Sequence, residues 1–172
     1  MTAVVGAAHE AGVERLLDSY RAIPPGERVR LAKRTSNLFR ARASSTVPGL
    51  DTSGLTGVVD VDPEARTADV QGMCTYEDLV DATLPHGLSP LVVPQLRTIT
   101  LGGAVTGLGI ESSSWRNGLP HESVLSVTDA RGNWAEYTRD GYVRNEGRWG
   151  EHDLALADVV VPLRPARPQV RA

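Results

Sequence analysis

Residues 98–118 read TITLGGAVTGLGIESSSWRNG, with four glycines between Gly102 and Gly109 and then three serines, Ser112 to Ser114. Glycine tolerates positive φ and lets a ligand approach bare backbone, so the N–H groups of such a stretch can converge on an anion without intervening side chains. Phosphate oxygens are the usual beneficiaries, and the hydroxyls that follow add polar partners. Tight turns or bulges in a crowded sheet are the structural alternative for a pair such as Gly102-Gly103. Two common nucleotide loops do not fit. A Walker loop needs Gly-Lys-Ser/Thr at its end, and the chain's single lysine is Lys33. A Rossmann loop needs GxGxxG after the first strand, whereas these glycines read GGxxxGxG and follow two hairpin arms and a helix.

Other reactive side chains are scattered. His9, His86, His121 and His152 lack metal-ligand spacing, so no metal site is expected. His121-Glu122 and His152-Asp153 could serve Ser112 to Ser114 as acid and base only through tertiary approach, and no nucleophile-elbow sequence supports a hydrolase. Cys74 reads as a small buried residue in a strand-to-helix turn, and Trp115 and Trp149 as partial core. No residue is singled out as catalytic.

The elements that must position the glycine stretch follow from periodicity. Val13, Leu16, Leu17 and Tyr20 recur at helical spacing within a helix expected over 4–20, which Pro24-Pro25-Gly26 ends. "RVRLAKR" alternates Val29 and Leu31 with basic residues and reads as a half-buried strand. "TSNLFRARASST" reads as a loop with cationic edges. Val59 and Val61, then Ala68 and Val70, flank Asp62-Pro63-Glu64-Ala65-Arg66 as the arms of a hairpin. Thr75 with Asp78 forms a short-armed capping box for a helix that Pro85 and Gly87 end. "SPLVVP" reads as a strand, "SVLSVTDARGNWAEYT" as a second hairpin, and "LALADVVVPLRP" as a strand terminated by Pro162 and Pro165.

A chain of 172 residues that is 41% hydrophobic suits one compact unit able to bury roughly two-thirds of its surface. A net charge of −3 provides no basic field for a polyanion, so nucleic acid is not an expected partner. One cysteine excludes an internal disulfide framework. No segment approaches ~18 consecutive apolar residues and no basic-then-apolar leader opens the chain, so no membrane span and a cytoplasmic location are expected.

The stretch "YEDLVDATLPHGLSPLVVPQLRTITLGGAVTGLGIESSSWRNGLPHESVL", with "RLAKRTSNLFR" and "LDTSGLTGVVDVDPEARTADVQGMCTYEDL" upstream, resembles the flavin-binding domain of the PCMH-type, or vanillyl-alcohol-oxidase-like, FAD oxidoreductases. Within these it is most similar to the sterol delta-24 reductase branch and its actinobacterial FAD-linked relatives, over residues 13–127. The resemblance implies an α+β fold, with a small α/β lobe at about 1–48 and a larger antiparallel-sheet lobe with flanking helices at about 49–172. It implies that Thr100, Leu101, Gly102, Gly103, Ala104, Val105, Thr106, Gly107, Leu108, Gly109, Ile110, Glu111 and Ser112 lie along FAD. Thr35, Ser36 and Asn37 stand where the family has its first phosphate-contacting loop. Covalent flavin in the family uses a His or Cys near these segments; "RTSNLF" and "GIESSSWRN" have neither, so the FAD is expected to be noncovalent. In complete relatives the flavin exchanges a hydride with an organic substrate, whose identity here is not legible.

Two departures shape a further expectation. "GEHDLALADVVVPLRPARP" runs from His152-Asp153-Leu154 almost directly into the last strand, where relatives have a flavin-facing loop, and "GYVRNEGRWG" does not match the family. A large substrate domain follows in relatives and is expected to be absent here. The alternative expectation is therefore a noncatalytic or engineered scaffold that keeps the fold without flavin.

Overall fold

The computed structural model describes residues 2–27, 29–32, 49–107, 110–129, 134–138, 141–146 and 156–166. The chain opens with α1 (Thr2–Arg21). Its apolar stripe buries Leu16 against Leu50 and Leu55, with Val13, Leu17, Tyr20, Ile23 and Leu31 packed around them. The helix crosses residues 52–55 backbone to backbone: a Cβ on Gly12 would stand 2.5 Å from the Gly54 carbonyl oxygen. Among the described residues the strand expected around Val29 does not form. Val29 is 47% exposed, and only Leu31 makes a bridge, parallel to Leu50. Alternation alone does not make a strand without a backbone partner along its length. The cationic loop that follows lies outside the described residues.

One antiparallel sheet carries the rest. Its strands are β1 (Val58–Asp62), β2 (Thr67–Gln71), β3 (Leu88–Pro90), β4 (Ser126–Asp129), β5 (Trp134–Thr138), β6 (Gly141–Glu146) and β7 (Leu156–Pro165). The order is β1-β2-β7-β4-β5-β6, with β3 pairing β7. The first hairpin turns as its sequence requires: the Asp62 carboxylate accepts from the N–H groups of Glu64 and Ala65, and Arg66 takes φ 55°. Inside β1 the register shifts between Val58 and Asp60, so Val58 and Val61, rather than Val59 and Val61, pack on the core. A bulge resets the two-residue period by one.

β7 runs through Pro162 instead of ending there. Successive strand N–H groups point to opposite edges, and the Leu163 N–H bonds to Arg66 O on the β2 side. The donor that Pro162 lacks therefore faces the other edge, where β4 has already stopped at Ser126 opposite Val160. Beyond it, β7 pairs with β3, which covers only the start of the apolar strand read from "SPLVVP". β6 pairs with β5 and had no counterpart in the sequence reading.

α2 (Tyr76–Thr83) begins at Thr75, whose hydroxyl accepts from the Asp78 N–H. Asp78 is too short to reach back to the backbone as a glutamate would, and its carboxylate instead accepts the Thr75 hydroxyl proton at 2.6 Å. Pro85 and Gly87, at φ 69°, close the helix through one 3-10 turn. With α3 (Leu101–Thr106), α2 covers one face of the sheet, burying Leu79, Leu101, Ala104 and Val105 on Ala68, Val70, Val127, Val159, Val161 and Leu163. Each such large aliphatic side chain is worth about 1.5–3 kcal/mol on burial.

The α1 crossing gives a paired prediction. Gly12→Ala gains up to about 1 kcal/mol of helix propensity yet drives a methyl into backbone, and is expected to destabilise the chain by about 1–3 kcal/mol. Gly6→Ala, on the same helix with nothing within 4 Å, is expected to stabilise it. Urea midpoints of the two variants on opposite sides of wild type support the crossing; two midpoints above wild type refute it.

Candidate functional site

The glycine stretch begins as a strand-like partner of residues 72–76, the link between β2 and α2. Thr75 and Thr100 form an antiparallel bridge, Tyr76 N–H donates to Ile99 O, and Leu101 N–H donates to Cys74 O. One residue further, Gly102 N–H donates to Gly72 O at 2.8 Å, and a Cβ on Gly102 would stand 2.6 Å from that oxygen. This glycine is explained by packing: α3 is seated on the backbone of Gly72. Sequence reasoning missed Gly72, although a glycine directly after an alternating strand is a signal of close backbone approach.

Thr100 caps α3, its hydroxyl accepting from Gly103 N–H at 3.3 Å. The N–H groups of Leu101, Gly102 and Gly103 are thus all bonded within the chain, and the amides at the start of α3 do not converge on open space. Nor do Gly102, Gly103 or Gly107 adopt positive φ; Gly107 has φ −88°. The helical period divides the segment instead. Leu101, Ala104 and Val105 face the core, while Gly103, Thr106 and Gly107 are exposed. Thr106 turns its hydroxyl hydrogen to Gly102 O at 2.8 Å, leaving its oxygen lone pairs outward. Leu108 and Gly109 lie outside the described residues, as do Thr35, Ser36 and Asn37.

Ile110 is 79% exposed and Ser112 is exposed. Glu111 is half-buried and anchors the segment: its carboxylate accepts from Gln95 N–H, and its own N–H donates to the Ser114 hydroxyl at 3.0 Å. Ser114 opens the short helix α4 (Ser114–Asn117), and the Asn117 amide donates to Leu91 O at 2.7 Å. Residues 110–117 are thereby fastened over residues 91–95. Trp115 is 86% exposed, which corrects its reading as partial core: α4 is a single turn held by polar bonds and buries no side chain.

Reactive groups around this strip are quiet. Burial, with a smaller contribution from Asp78, pushes the Cys74 thiol up to about 12, so no thiolate is available. Burial also raises the Tyr76 phenol, and the Glu111 charge adds to it. Glu122 spends its carboxylate on Leu119 N–H at 2.7 Å. Among the described residues no group of three His, Cys, Asp or Glu could hold a metal ion. Gly103, Thr106 and Gly107 leave on α3 an exposed edge of bare backbone and one hydroxyl without a titratable group, which suits holding a ligand rather than proton transfer.

The sequence profile of the FAD binding domain family matches residues 1–135. Delta(24)-sterol reductase of Pisum sativum is 31% identical over 93 residues, 53% of this chain and 16% of that protein. The Arabidopsis thaliana Delta(24)-sterol reductase is 32% identical over 93 residues, covering 53% and 17% respectively. The chain thus spans about one-sixth of the length of these curated relatives. Among solved structures, 6-hydroxy-D-nicotine oxidase from Arthrobacter nicotinovorans aligns with TM-score 0.56 at 17% identity, over 91% of this chain and 34% of that one. Alkyldihydroxyacetonephosphate synthase aligns with TM-score 0.51 at 20% identity, over 70% and 23%. Both share the α+β fold.

If the seam between α3 and Gly72 sets the position of the strip, Gly102→Ala is expected to destabilise the chain by about 1–3 kcal/mol through a methyl forced onto a carbonyl. Thr100→Val, which removes the cap, is expected to cost about 0.5–2 kcal/mol, and Thr100→Ser only a fraction of that. Denaturant titration checks both; a Gly102→Ala variant as stable as wild type removes the seam from the account.

Proposed function

The chain belongs to the FAD-binding domain family, of PCMH type, and on that premise we propose that it holds FAD along the exposed edge Gly103–Thr106–Gly107 and onward to Ser112. The observation that carries the reading is the division of the glycine stretch into a face locked on Gly72 and the core and a face of bare backbone left open. Gly103 is exposed, and a Cβ there would stand 2.8 Å from the capping Thr100 hydroxyl oxygen. In this reading Leu101, Ala104 and Val105 contribute from below as the packed floor. Thr100 and Glu111 act as positioning residues, through the cap on Gly103 and the bond to Gln95. Leu108, Gly109, Ile110 and Gly102 complete the run, and Thr35, Ser36 and Asn37 are proposed as a second, phosphate-facing contact.

When bound, the flavin supplies a ring that takes up or releases a hydride, and the proposed chemistry is hydride exchange with an organic small molecule in the complete protein. The chain's own part is to bind and orient. Its described site residues carry no acid or base on the open edge, so a proton donor or acceptor belongs to another part of the assembled active site. The relatives named as Delta(24)-sterol reductases make an oxidoreductase the fitting class. Attachment is proposed to be noncovalent, since Cys74 is buried with its thiol pushed up to about 12. The two-lobe division near residue 48 belongs to the same proposal.

Titration of the chain with FAD, followed by flavin fluorescence, is expected to show saturable binding, and acid precipitation to leave all flavin in the supernatant. Thr106→Glu adds a negative charge to the open edge and is expected to weaken FAD at least about tenfold, the equivalent of ~1.4 kcal/mol, without lowering thermal stability. Ala65→Glu, in the exposed turn between β1 and β2, is the control. Equal affinities in Thr106→Glu and Ala65→Glu move the site elsewhere; no saturable binding in wild type overturns the reading.

A further inference from the structure

The sheet has a second face, and its chemistry is unlike the first. On β2, Asp69 and Gln71 alternate with the core residues Ala68 and Val70, and Asp158 of β7 lies directly opposite Gln71. α1 meets this face with His9. The imidazole Nε2 is 3.1 Å from Asp158 Oδ2, and Nδ1 is 3.1 Å from Gln71 Nε2. Gln71 Oε1 accepts from Gly57 N–H at 2.7 Å. That backbone bond fixes the orientation of the amide, because an N–H can only donate and must face the oxygen. The Gln71 NH₂ therefore points at His9, and in the neutral ring Nδ1 offers it a lone pair while Nε2–H points at Asp158. Past this relay, Asp158 Oδ1 and Asp69 Oδ1 are buried without a hydrogen-bond partner. Asp60 stands opposite Asp69 on β1 and adds a third negative charge.

We propose that His9, Gln71, Asp69 and Asp158 form a proton-sensitive clasp between α1 and the sheet, in which Asp158 is the titrating group: the clasp is strained while both carboxylates are ionised and relaxes when the cluster takes up a proton. Among the described residues, the groups facing it are His9 from α1, Asp60 from β1, Asp69 from β2 and Asp158 from β7; β4 places the uncharged Thr128 opposite Asp158. Burial is the main cause that raises Asp158 from 3.8 to about 6, with His9 opposing and Asp69 adding to the rise. Burial likewise raises Asp69. A carboxyl whose folded value lies above its unfolded one is penalised in its ionised form. The penalty is full above about 6, shrinks as pH falls through that value, and is gone below 3.8. Acidification from neutral pH therefore tightens the clasp through Asp158.

The test uses the full chain. Asp158→Asn keeps an acceptor for the His9 Nε2–H and removes the titration. Hydrogen-exchange protection of α1 amides, corrected for intrinsic exchange, is expected to rise in wild type relative to Asp158→Asn by about tenfold between roughly pH 8 and pH 5. Carboxyl-detected NMR titration of wild type is expected to give Asp158 a midpoint of about 6. The midpoint should move down in Asp69→Asn and up in His9→Gln, opposite shifts that a merely structural contact would not produce. A protection ratio flat with pH, an Asp158 midpoint in the ordinary carboxylate range, or shifts of the same sign in the two variants overturns the proposal.

Discussion

The position of α3 depends on a contact that contains no side chain. Gly102 lies on Gly72 so closely that a single methyl would stand 2.6 Å from the carbonyl oxygen, and the N–H of one bonds to the C=O of the other at 2.8 Å. Because backbone cannot yield as a flexible side chain does, this seam fixes both the height and the rotation of the helix over the sheet. Once the rotation is fixed, the 3.6-residue period assigns every neighbour. Leu101, Ala104 and Val105 turn inward, and Gly103, Thr106 and Gly107 turn outward.

The seam also decides what kind of surface the glycines present. A helix start usually offers unpaired N–H groups to an anion, but here Gly72, Cys74 and the Thr100 hydroxyl consume the first three. What remains open is the flank of the helix, where small residues leave a ligand able to approach the backbone. Shape and hydroxyl chemistry dominate such an edge, and no charged side chain of the strip sits on it. Glu111, the one carboxylate in the run, is turned to Gln95 and so is held away from that role.

Much of the fold was legible because turn chemistry and two-residue alternation coincide. Asp62 to Arg66 turns between Val61 and Ala68 as its residue types demand, and Thr75, Pro85 and Gly87 punctuate α2 as read. What failed depends on partners that sequence does not display. Val29 alternates correctly but, among the described residues, joins no sheet. Pro162 ends a strand only if its missing donor faces a neighbour, and β4 stops before reaching it. The bulge at Val59 exchanges one valine for another with no residue-level signal. β6 was within reach, since Asp140-Gly141 is a hairpin signal. Within the candidate site, Leu101, Ala104 and Val105 at i, i+3 and i+4 after a capping threonine already spelled a short helix. Glycine density could not say that Gly102 packs on Gly72, thirty residues away in the chain, or that Gly107 packs on the Gly103 carbonyl, where a Cβ would stand 2.6 Å away.

Two glycine contacts bracket the β1–β2 hairpin, and their placement links the parts of the molecule. Gly54, just before β1, seats α1 through Gly12; Gly72, just after β2, seats α3 through Gly102. Between them Gln71 exchanges bonds with Gly57, and Met73 N–H bonds to Leu55 O, so the hairpin's two ends are tied to each other as well. The N-terminal core of Leu16, Leu50 and Leu55 and the core beneath α3 are therefore registered against one rigid unit rather than against each other. Side-chain packing fills both cores, but it tolerates small slides. The backbone contacts at Gly54 and Gly72 do not, and they are what sets the positions of α1 and α3 on the hairpin.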